Sequence, residues 1–346
     1  MDLNPLAWLN VQHTFEQHLN NFINTVTAQL KVLVVTHNYP TQQTPSHAPF
    51  IGDQVEALRT LGVSIDLLHF STDNKFNYLI PLKYILSLNF SPKQYDIVHG
   101  YYGTINGYLA RLQWKSPVVV TYLGSDINHW RDGFIGRQLI PWIDGIIVMS
   151  PEMKAKIKRP DVFIIPFGIN LEIFKPIPKA EARQKLNLPQ DKKYILFPWN
   201  PQRALKRYDL CSAAYKILAK RFSNVEIITV HNVPHSEMSL YMNASDVLVC
   251  TSDHEGSPSS VREAMACNLP IVSVDVGDVR TLISGIKHCY ICQRDAEDIA
   301  EKISWVLEKS ERSNGRIFMQ GKDSLTAAKQ VIEVYRYVLD KKSDKK

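Results

Sequence analysis

Short apolar runs alternate with amphipathic segments along most of this chain. The run Lys31–Thr36 reads Lys-Val-Leu-Val-Val-Thr, a proline-rich loop follows it, and a segment with helical spacing then ends at Gly62. Runs that are apolar throughout are typical of parallel strands buried on both faces of a sheet. The pattern therefore predicts βαβ units, in which each buried strand is followed by a helix.

The alternation occurs twice, before and after a proline-containing stretch. That stretch, Phe174–Lys179, contains Pro176 and Pro178 and has the composition of a stiff linker. We therefore predict an α/β fold with two Rossmann-like domains, at residues 31–177 and 178–323, facing each other across a cleft. Because such sheets bind ligands at the carboxyl ends of their strands, the cleft is the predicted ligand site.

The two ends of the chain fall outside these domains. Residues 1–30 are polar with apolar residues at near-helical intervals, which predicts an amphipathic extension. That extension either packs on the body of the protein or contacts a membrane or a second copy. Residues 324–346 are predicted to form a helix, packing back on the N-terminal domain, and a basic tail.

Composition and charge argue against several classes of protein. The 346 residues are 45% hydrophobic and 21% charged, as in ordinary globular proteins. The net charge of +6 is not gathered in a basic stripe, which argues against a nucleic-acid partner. Neither a membrane-spanning apolar run nor a secretory signal pattern is found, and five widely spaced cysteines fit reduced thiols in the cytoplasm. Cys289 and Cys292 are interpreted as packing residues, because a second CxxC pair is lacking.

The most informative segment begins at Glu255 and reads Glu-Gly-Ser-Pro-Ser-Ser-Val-Arg-Glu-Ala-Met-Ala-Cys-Asn. It lies between two predicted strands. Ser257 is a suitable N-cap and Pro258 suits a first helical position, so a helix is predicted to begin near residue 258. Free backbone N–H groups at its start would form an anion site. Glu255 lies just before the helix and Glu263 inside it, so both carboxylates would reach the same ligand.

This segment resembles the signature of family 4 glycosyltransferases, which are retaining enzymes with the two-domain GT-B fold. The resemblance extends over about residues 31–340 and is strongest to bacterial members that build cell-envelope polysaccharide. It implies that Glu255 contacts the donor sugar and that Glu263 contacts the ribose. The other donor-binding residues that it implies are Gly256, Ser257, Pro258, Ser259, Ser260 and, through its backbone at the nucleobase, Val233.

Two cations are implied for the diphosphate leaving group. Arg203 and Lys206 follow the predicted strand Tyr194–Phe197 and match the Arg/Lys pair of the family. Fixed cations stabilise the negative charge that develops on the leaving group. Because no Asp-x-Asp motif is present, we predict no metal, and no cofactor besides a UDP- or GDP-linked sugar as co-substrate. Arg207 is interpreted as a solvated neighbour.

The N-terminal half is expected to supply the acceptor side of the cleft. The residues that the resemblance implies there are His99, Asp126, Ser150 and Gly168. For His99, a buried structural role is the alternative. The sequence departs from the family where Ala48 replaces a glycine and where Leu123 replaces a histidine. The apolar segment Lys75–Leu88 is either core or a surface for a lipid-linked acceptor or a membrane.

These observations predict a retaining, metal-independent glycosyltransferase. It would move a hexosyl or N-acetylhexosaminyl unit to a glycan or polyprenyl-linked acceptor in bacterial polysaccharide biosynthesis. We expect the protein in the cytoplasm, with peripheral contact to the inner face of the membrane. The alternative is a non-catalytic nucleotide-sugar-binding GT-B protein or partner subunit, which Ala48 and Leu123 would suit.

Overall fold

The computed structural model describes residues 30–45, 47–72, 74–128 and 130–344. The predicted N-terminal extension, apart from Leu30, lies outside the described residues. Within them the chain forms two parallel sheets with helices between the strands, which confirms the predicted α/β fold.

The first sheet has six parallel strands in the order β2-β1-β3-β4-β5-β6. Its strands are β1 (Lys31–Thr36), β2 (Ser64–His69), β3 (Ile97–Tyr101), β4 (Val118–Tyr122), β5 (Gly145–Val148) and β6 (Val162–Ile164). The central strands are buried along nearly their whole length because helices cover both faces.

The crossover helices of this sheet lie in two layers. They are α1 (Pro49–Thr60), α2 (Leu79–Ser87), α3 (Ile105–Arg111), α4 (Ser125–Asn128), α5 (Trp130–Leu139) and α6 (Pro151–Ala155), with 3₁₀ turns at Lys75–Tyr78 and Ile140–Trp142. The step from β1 to β2 runs opposite to all later steps across the sheet. Right-handed crossovers therefore place α1 on one face and α2, α3 and α5 on the other.

The second sheet has five parallel strands in the order β11-β10-β9-β7-β8. Its strands are β7 (Lys193–Phe197), β8 (Val225–Thr229), β9 (Val247–Cys250), β10 (Ile271–Val274) and β11 (Tyr290–Cys292). Its helices are α7 (Lys179–Lys185), α8 (Tyr208–Leu218), α9 (His235–Ala244), α10 (Ser259–Ala266), α11 (Val279–Ile283) and α12 (Ala296–Lys309), with 3₁₀ turns at Ala204–Lys206 and Gly315–Met319.

The last helix, α13 (Ser324–Ser343), lies on the N-terminal domain rather than on the domain that precedes it in sequence. It packs against α1, and its buried side chains, Val331 and Tyr335 among them, belong to the first hydrophobic core. The chain therefore crosses between the domains twice.

Both crossings occur at the same place. Phe167 belongs to the first core and Ile169 to the second, so the first crossing is at Gly168. There the backbone N–H of Ile169 donates to the carbonyl of Lys322 at 3.1 Å, and that of Ser324 donates to the carbonyl of Ile169 at 3.1 Å. The outgoing and returning segments thus hold each other together.

The predicted linker lies inside the second domain, so the domain boundary is near residue 168 instead of residue 177. Phe174 is fully buried in the second core, and the backbone N–H of Ile177 donates to the Asn243 side chain at 3.0 Å. Pro176 and Pro178 stiffen a segment that is packed on this domain. Proline content marked an irregular segment but could not show which core it packs against.

Replacing Gly168 should loosen the connection between the domains. A Cβ atom at this position would lie 2.2 Å from the Asp323 carbonyl oxygen, so one crossing segment must move. We expect Gly168→Ala to lower the free energy of unfolding by about 1–3 kcal/mol, measured by urea denaturation. Gly285→Ala is the control. It adds backbone strain, because φ is +76° there, but no steric clash, because the added Cβ meets no atom within 4 Å. A smaller loss for Gly168→Ala than for this control would contradict the tight crossing.

Candidate active site

A cavity of about 880 Å³ lies between the two domains, at the carboxyl ends of the strands of both sheets. Its N-terminal wall includes Asn38, Ala48, Phe50, Tyr102, Leu123, Gly124, Ser125, Asn128 and Trp130. Its C-terminal wall includes Trp199, Arg203, Lys206, Val233, His235, Glu255, Gly256, Ser257, Pro258, Ser259, Ser260 and Glu263. The catalytic and donor-binding residues predicted from the sequence therefore line one cavity.

Lys206 and Glu255 form an ion pair in the floor of this cavity. The Lys206 ammonium group donates to Glu255 Oε1 and lies 4.7 Å from the centre of the Trp199 ring. Both charged side chains are largely buried, which is tolerated because each neutralises the other. The Thr251 hydroxyl donates to the Lys206 carbonyl at 2.8 Å and holds the 3₁₀ turn that carries the lysine.

Arg203 differs from its neighbours in having no ion-pair partner among the described residues. Its side chain is exposed on the cavity wall. Arg207 does not line the cavity; its backbone is left-handed (φ 51°), and its side chain pairs with Asp209 and Asp253 at 2.9 and 3.2 Å. Arg203 is thus the cation available to a ligand, whereas Arg207 fixes the loop.

Helix α10 points its N-terminus into the cavity, but its first turn differs from the prediction. The helix begins at Ser259, and Pro258 with extended backbone occupies the N-cap position. The Ser257 hydroxyl does not cap the helix, because it donates instead to Asp278 at 2.7 Å. The first backbone N–H groups, at Ser259 and Ser260, have no carbonyl within the helix to bond and lie at the cavity wall. The helix N-terminus therefore offers an anion site.

His235 connects the two domains through two carboxylates. Its Nε2 atom lies 2.9 Å from Glu263 Oε1 on α10, within hydrogen-bond distance, and its Nδ1 atom lies 3.1 Å from Asp53 Oδ2 on α1. Nδ1 makes no hydrogen bond of good geometry, so this second contact is an ion pair. Burial acts to lower the pKa of His235, but the charges of Glu263 and Asp53 outweigh it and raise the pKa to about 10. The imidazolium form is therefore the stable form between these carboxylates.

None of the four expected acceptor-side residues lines the cavity. His99 is fully buried, where Tyr335 and Thr121 bond its ring at 2.7 and 2.8 Å and burial lowers its pKa to about 3. Ser150 is buried and accepts from the Met153 backbone N–H, which makes it the N-cap of α6. These polar side chains already bond to the protein itself, so they have no position from which to contact a ligand.

Asp126 is the third of these residues. Its carboxylate accepts backbone N–H groups from Gly103, Leu123 and Gly124 at 2.7–3.2 Å. Burial raises its pKa to about 6, although those hydrogen bonds act to lower it. Asp126 therefore fixes the conformation of the Leu123–Gly124 turn from within the domain. The fourth expected residue, Gly168, lies at the domain crossing.

The two departures from the family pattern both lie on the cavity wall. Ala48 adopts a left-handed conformation (φ 44°, ψ 53°), which is strained for alanine but would not be for the glycine of the family pattern. The Leu123 carbonyl oxygen lies opposite Gly256, where an added Cβ would be 3.2 Å from it. Leu123 lines the cavity, and its apolar side chain is partly buried against the first core.

Sequence reasoning missed Trp199, Tyr102 and Trp130 as cavity residues and missed the bridging role of His235. His235 belongs to no sequence motif, and its partner Asp53 lies far away in sequence. The aromatic residues carried no motif. Only their position at strand or helix ends, next to predicted site residues, signalled a place at the cavity.

Neither a metal centre nor a membrane-spanning helix is found in the described part of the chain. It holds no cluster of three or more His, Cys, Asp or Glu side chains suited to a metal ion. None of its helices is both long and apolar enough to cross a bilayer. The five cysteines are free thiols, and burial raises the pKa of Cys289 and Cys292 to about 12, as expected for packing residues.

Two family models match the sequence, one on each domain. Residues 16–173 match Glycosyltransferase Family 4, and residues 216–317 match Glycosyl transferases group 1. The chain belongs to the family 4 glycosyltransferases. The predicted family and the GT-B fold are thereby confirmed.

Curated relatives of this glycosyltransferase come from bacteria. The teichuronic acid biosynthesis glycosyltransferase TuaC of Bacillus subtilis is 25% identical over 60% of each chain. A D-inositol 3-phosphate glycosyltransferase of Thermobispora bispora is 23% identical over 73% of each chain. The matches thus span about 60–73% of the length of these two relatives.

Solved structures share the fold of this glycosyltransferase at low identity. Sucrose-phosphate synthase of Thermosynechococcus elongatus superposes with a TM-score of 0.74 at 20% identity, over 90% of this chain and 99% of its own. Anabaena HepE in complex with UDP and glucose superposes with a TM-score of 0.65 at 16% identity, over 89% of this chain and 100% of its own.

The Asp53–His235–Glu263 contact should make stability depend on pH. The pKa of His235 is higher in the folded protein than its usual 6.5, so its contribution is fully present below pH 6.5 and is lost as the pH rises towards 10. We expect the free energy of unfolding of the native protein to exceed that of the His235→Gln variant, by a difference that decreases as the pH rises across this range. Urea denaturation of both proteins at several pH values measures it, and a constant difference between them would contradict the ion-pair contact.

Proposed function

We propose that this glycosyltransferase is retaining and metal-independent and uses a UDP- or GDP-sugar as donor. The observation that carries the proposal is the grouping of Arg203, the Lys206–Glu255 pair and the N-terminus of α10 on one wall of the interdomain cavity. A diphosphate is a doubly charged leaving group, and this wall presents fixed positive charge next to two carboxylates. The donor class is also supported by HepE, a protein of the same fold whose structure holds UDP and glucose.

The diphosphate would bind between the free N–H groups of Ser259 and Ser260 and the cations Arg203 and Lys206. Backbone N–H groups and the helix dipole favour an anion at this end of α10. As the bond from the anomeric carbon to the phosphate oxygen breaks, the cations stabilise the charge that develops. We propose that these fixed groups supply the charge compensation for which other transferases use a metal ion.

The two carboxylates would hold the two sugars of the donor. Glu255 would contact the hydroxyls of the transferred sugar, with Lys206 fixing the direction of its carboxylate. Glu263 would accept the ribose hydroxyls, and Val233 would meet the nucleobase through its backbone. Because His235 bonds Oε1 of Glu263, the ribose must either use the remaining lone pairs or displace the imidazole.

Transfer would proceed with retention by substitution on one face of the sugar. The acceptor oxygen forms the new bond to the anomeric carbon on the face that the diphosphate leaves, and the acceptor proton passes to the departing phosphate oxygen. Protein residues then need only to orient donor and acceptor, exclude water and stabilise charge. We propose a hexosyl or N-acetylhexosaminyl unit as the transferred group.

The acceptor would be a glycan or a polyprenyl-linked sugar in bacterial polysaccharide biosynthesis. The named relatives include a teichuronic acid glycosyltransferase, which supports a cell-envelope acceptor. We propose that the enzyme works in the cytoplasm, at the inner face of the membrane.

A second candidate is a non-catalytic nucleotide-sugar-binding protein. It is favoured by Leu123, a cavity-lining residue whose side chain has no polar group to offer a sugar where the family pattern has a histidine. Nucleotide release from a panel of UDP- and GDP-sugars, with EDTA present and with a membrane-lipid fraction as acceptor, separates the two. Acceptor-stimulated, EDTA-insensitive release supports the transferase, whereas binding without release supports the second candidate.

Glu255→Gln should abolish most turnover and leave the fold intact. The substitution keeps the size of the side chain but removes the charge that orients Lys206 and the sugar. We expect kcat to fall by about 10²–10³-fold, measured by nucleotide release. Unchanged helix content by circular dichroism is the control for folding, and turnover within a few-fold of the native enzyme would remove Glu255 from the mechanism.

Arg203→Ala should chiefly weaken donor recognition. Because Arg203 has no ion-pair partner among the described residues, its loss leaves no buried charge unpaired in the protein itself. We expect the donor KM to rise about 10–100-fold, the equivalent of one charge-assisted hydrogen bond. Arg280→Ala, which removes an exposed arginine paired with Asp275, is the matched control. Equal KM values for the two variants would show that Arg203 does not bind the donor.

A further inference from the structure

Large apolar side chains are exposed on one helical layer of the N-terminal domain. This layer is the α2, α3 and α5 face of the first sheet, opposite α1 and α13. Its exposed apolar residues are Phe76, Leu79, Ile80, Leu86, Phe90, Tyr108, Leu112, Trp114, Trp130, Phe134 and Ile135. Phe90 is 85% exposed, Trp130 80% and Ile80 74%. Patches of this kind on a globular domain mark interaction sites.

These residues form a continuous surface, which we call the aromatic face. Helix α2 packs against α3, and beyond α2 the Asn89 side chain donates to the Leu112 carbonyl at 3.0 Å. The rings of Phe90 and Trp114 are in edge contact with centres 6.5 Å apart. The Tyr108 hydroxyl on α3 donates to the Ile135 carbonyl on α5 at 3.1 Å. The face thus extends without interruption from α2 to α5.

The aromatic face ends at the active-site cavity. Trp130 opens α5 and lines the cavity, and Phe134 lies one helical turn further along the same side of the helix. A partner on this face would therefore lie beside the entrance for the acceptor.

Basic side chains accompany the apolar ones. Lys83, on α2, and Arg131, on α5, are exposed among them. At the opposite end of the face, Arg111 lines a second cavity of about 410 Å³ with Arg159, Lys341 and Lys342. Arg159 and Lys341 are partly neutralised by Asp161, at 2.9 Å from Lys341. Helices α2, α3 and α5 together carry Lys83, Arg111, Arg131 and Arg137 against one acidic residue, Asp132, so this layer is net basic.

Aromatic residues beside lysine and arginine suit the boundary region of an anionic bilayer. Tyrosine and tryptophan concentrate at the headgroup level, and each basic residue is attracted by acidic lipids. A second copy of this chain fits less well, because a symmetric contact would set the same basic residues against each other. The charge of the face thus selects a lipid surface over self-association.

We propose that the aromatic face docks on an anionic phospholipid bilayer and presents the cavity entrance to the membrane surface. The inference deepens the proposed function and rests on it for its purpose, since a polyprenyl-linked acceptor would lie in that bilayer. It assigns the contact to specific side chains on α2, the Phe90–Trp114 pair and α5.

Co-sedimentation with vesicles tests the docking. The full chain is mixed with vesicles of phosphatidylcholine alone or with added phosphatidylglycerol, at low and high salt. We expect binding only to the anionic vesicles, weakened by salt, with a blue shift of tryptophan fluorescence. Phe90→Ser combined with Trp114→Ser should weaken partitioning about tenfold or more, and Lys83→Ser with Arg131→Ser about fivefold or more.

The matched control is Ile317→Ser combined with Leu325→Ser, which removes two exposed apolar residues that lie off the aromatic face. Its partitioning should equal that of the native chain. Absence of binding to anionic vesicles, or equal losses in the control and the Phe90/Trp114 variant, would overturn the proposal. Sedimentation velocity of the native chain showing a dimer that the Phe90/Trp114 variant loses would also overturn it.

Nucleotide release with a water-soluble acceptor and without vesicles separates this inference from the proposed function. We expect the Phe90/Trp114 variant to keep native release rates in that assay. Nucleotide release without vesicle binding would contradict the membrane docking and support the transferase. Vesicle binding without nucleotide release from any donor would support the docking and contradict the transferase.

Discussion

The cavity exists because the polypeptide crosses between the domains twice at one point. Gly168 brings the outgoing segment against the carbonyl of Asp323 in the returning one, and the backbone bonds of Ile169 lock the two together. Arg262, in the helix that carries Glu263, adds a hydrogen bond to the Phe167 carbonyl at 2.8 Å. This junction sets the carboxyl ends of the two sheets opposite each other. Every residue of the candidate site depends on that arrangement, since its walls come from different domains.

Within the cavity, charges are largely balanced before any ligand binds. Lys206 is held by Glu255, and Glu263 shares His235 with Asp53 of the other domain. Such pairing limits the cost of burying charge and keeps the side chains in fixed directions. Arg203 and the free N–H groups of α10 provide the remaining positive character. A diphosphate would complete this distribution of charge.

The outer surface of the N-terminal domain reaches the edge of the cavity on one side. Its aromatic face and basic side chains continue from α2 to Trp130 at the cavity edge. The segment Lys75–Leu88 had two interpretations from sequence, core or lipid-facing surface. In the structure Pro81 and Ile85 are buried while Phe76 and Ile80 are exposed, so the segment divides between core and exposed surface.

The sequence by itself determined the α/β class, the two sheets and the family, because buried parallel strands and the Glu255–Glu263 segment are local signals. Those signals also placed Arg203, Lys206 and Glu255 at strand ends that meet in one cavity. Only the tertiary structure decided that the side chains of His99 and Asp126 are hydrogen-bonded inside the protein. It also decided that the Ser257 hydroxyl donates to Asp278 instead of capping α10, and that His235 contacts both Glu263 and Asp53. It also moved the domain boundary to Gly168. Each of these depends on contacts between residues distant in sequence, and a motif records residue types and spacing but not which partners a folded chain brings within hydrogen-bond distance.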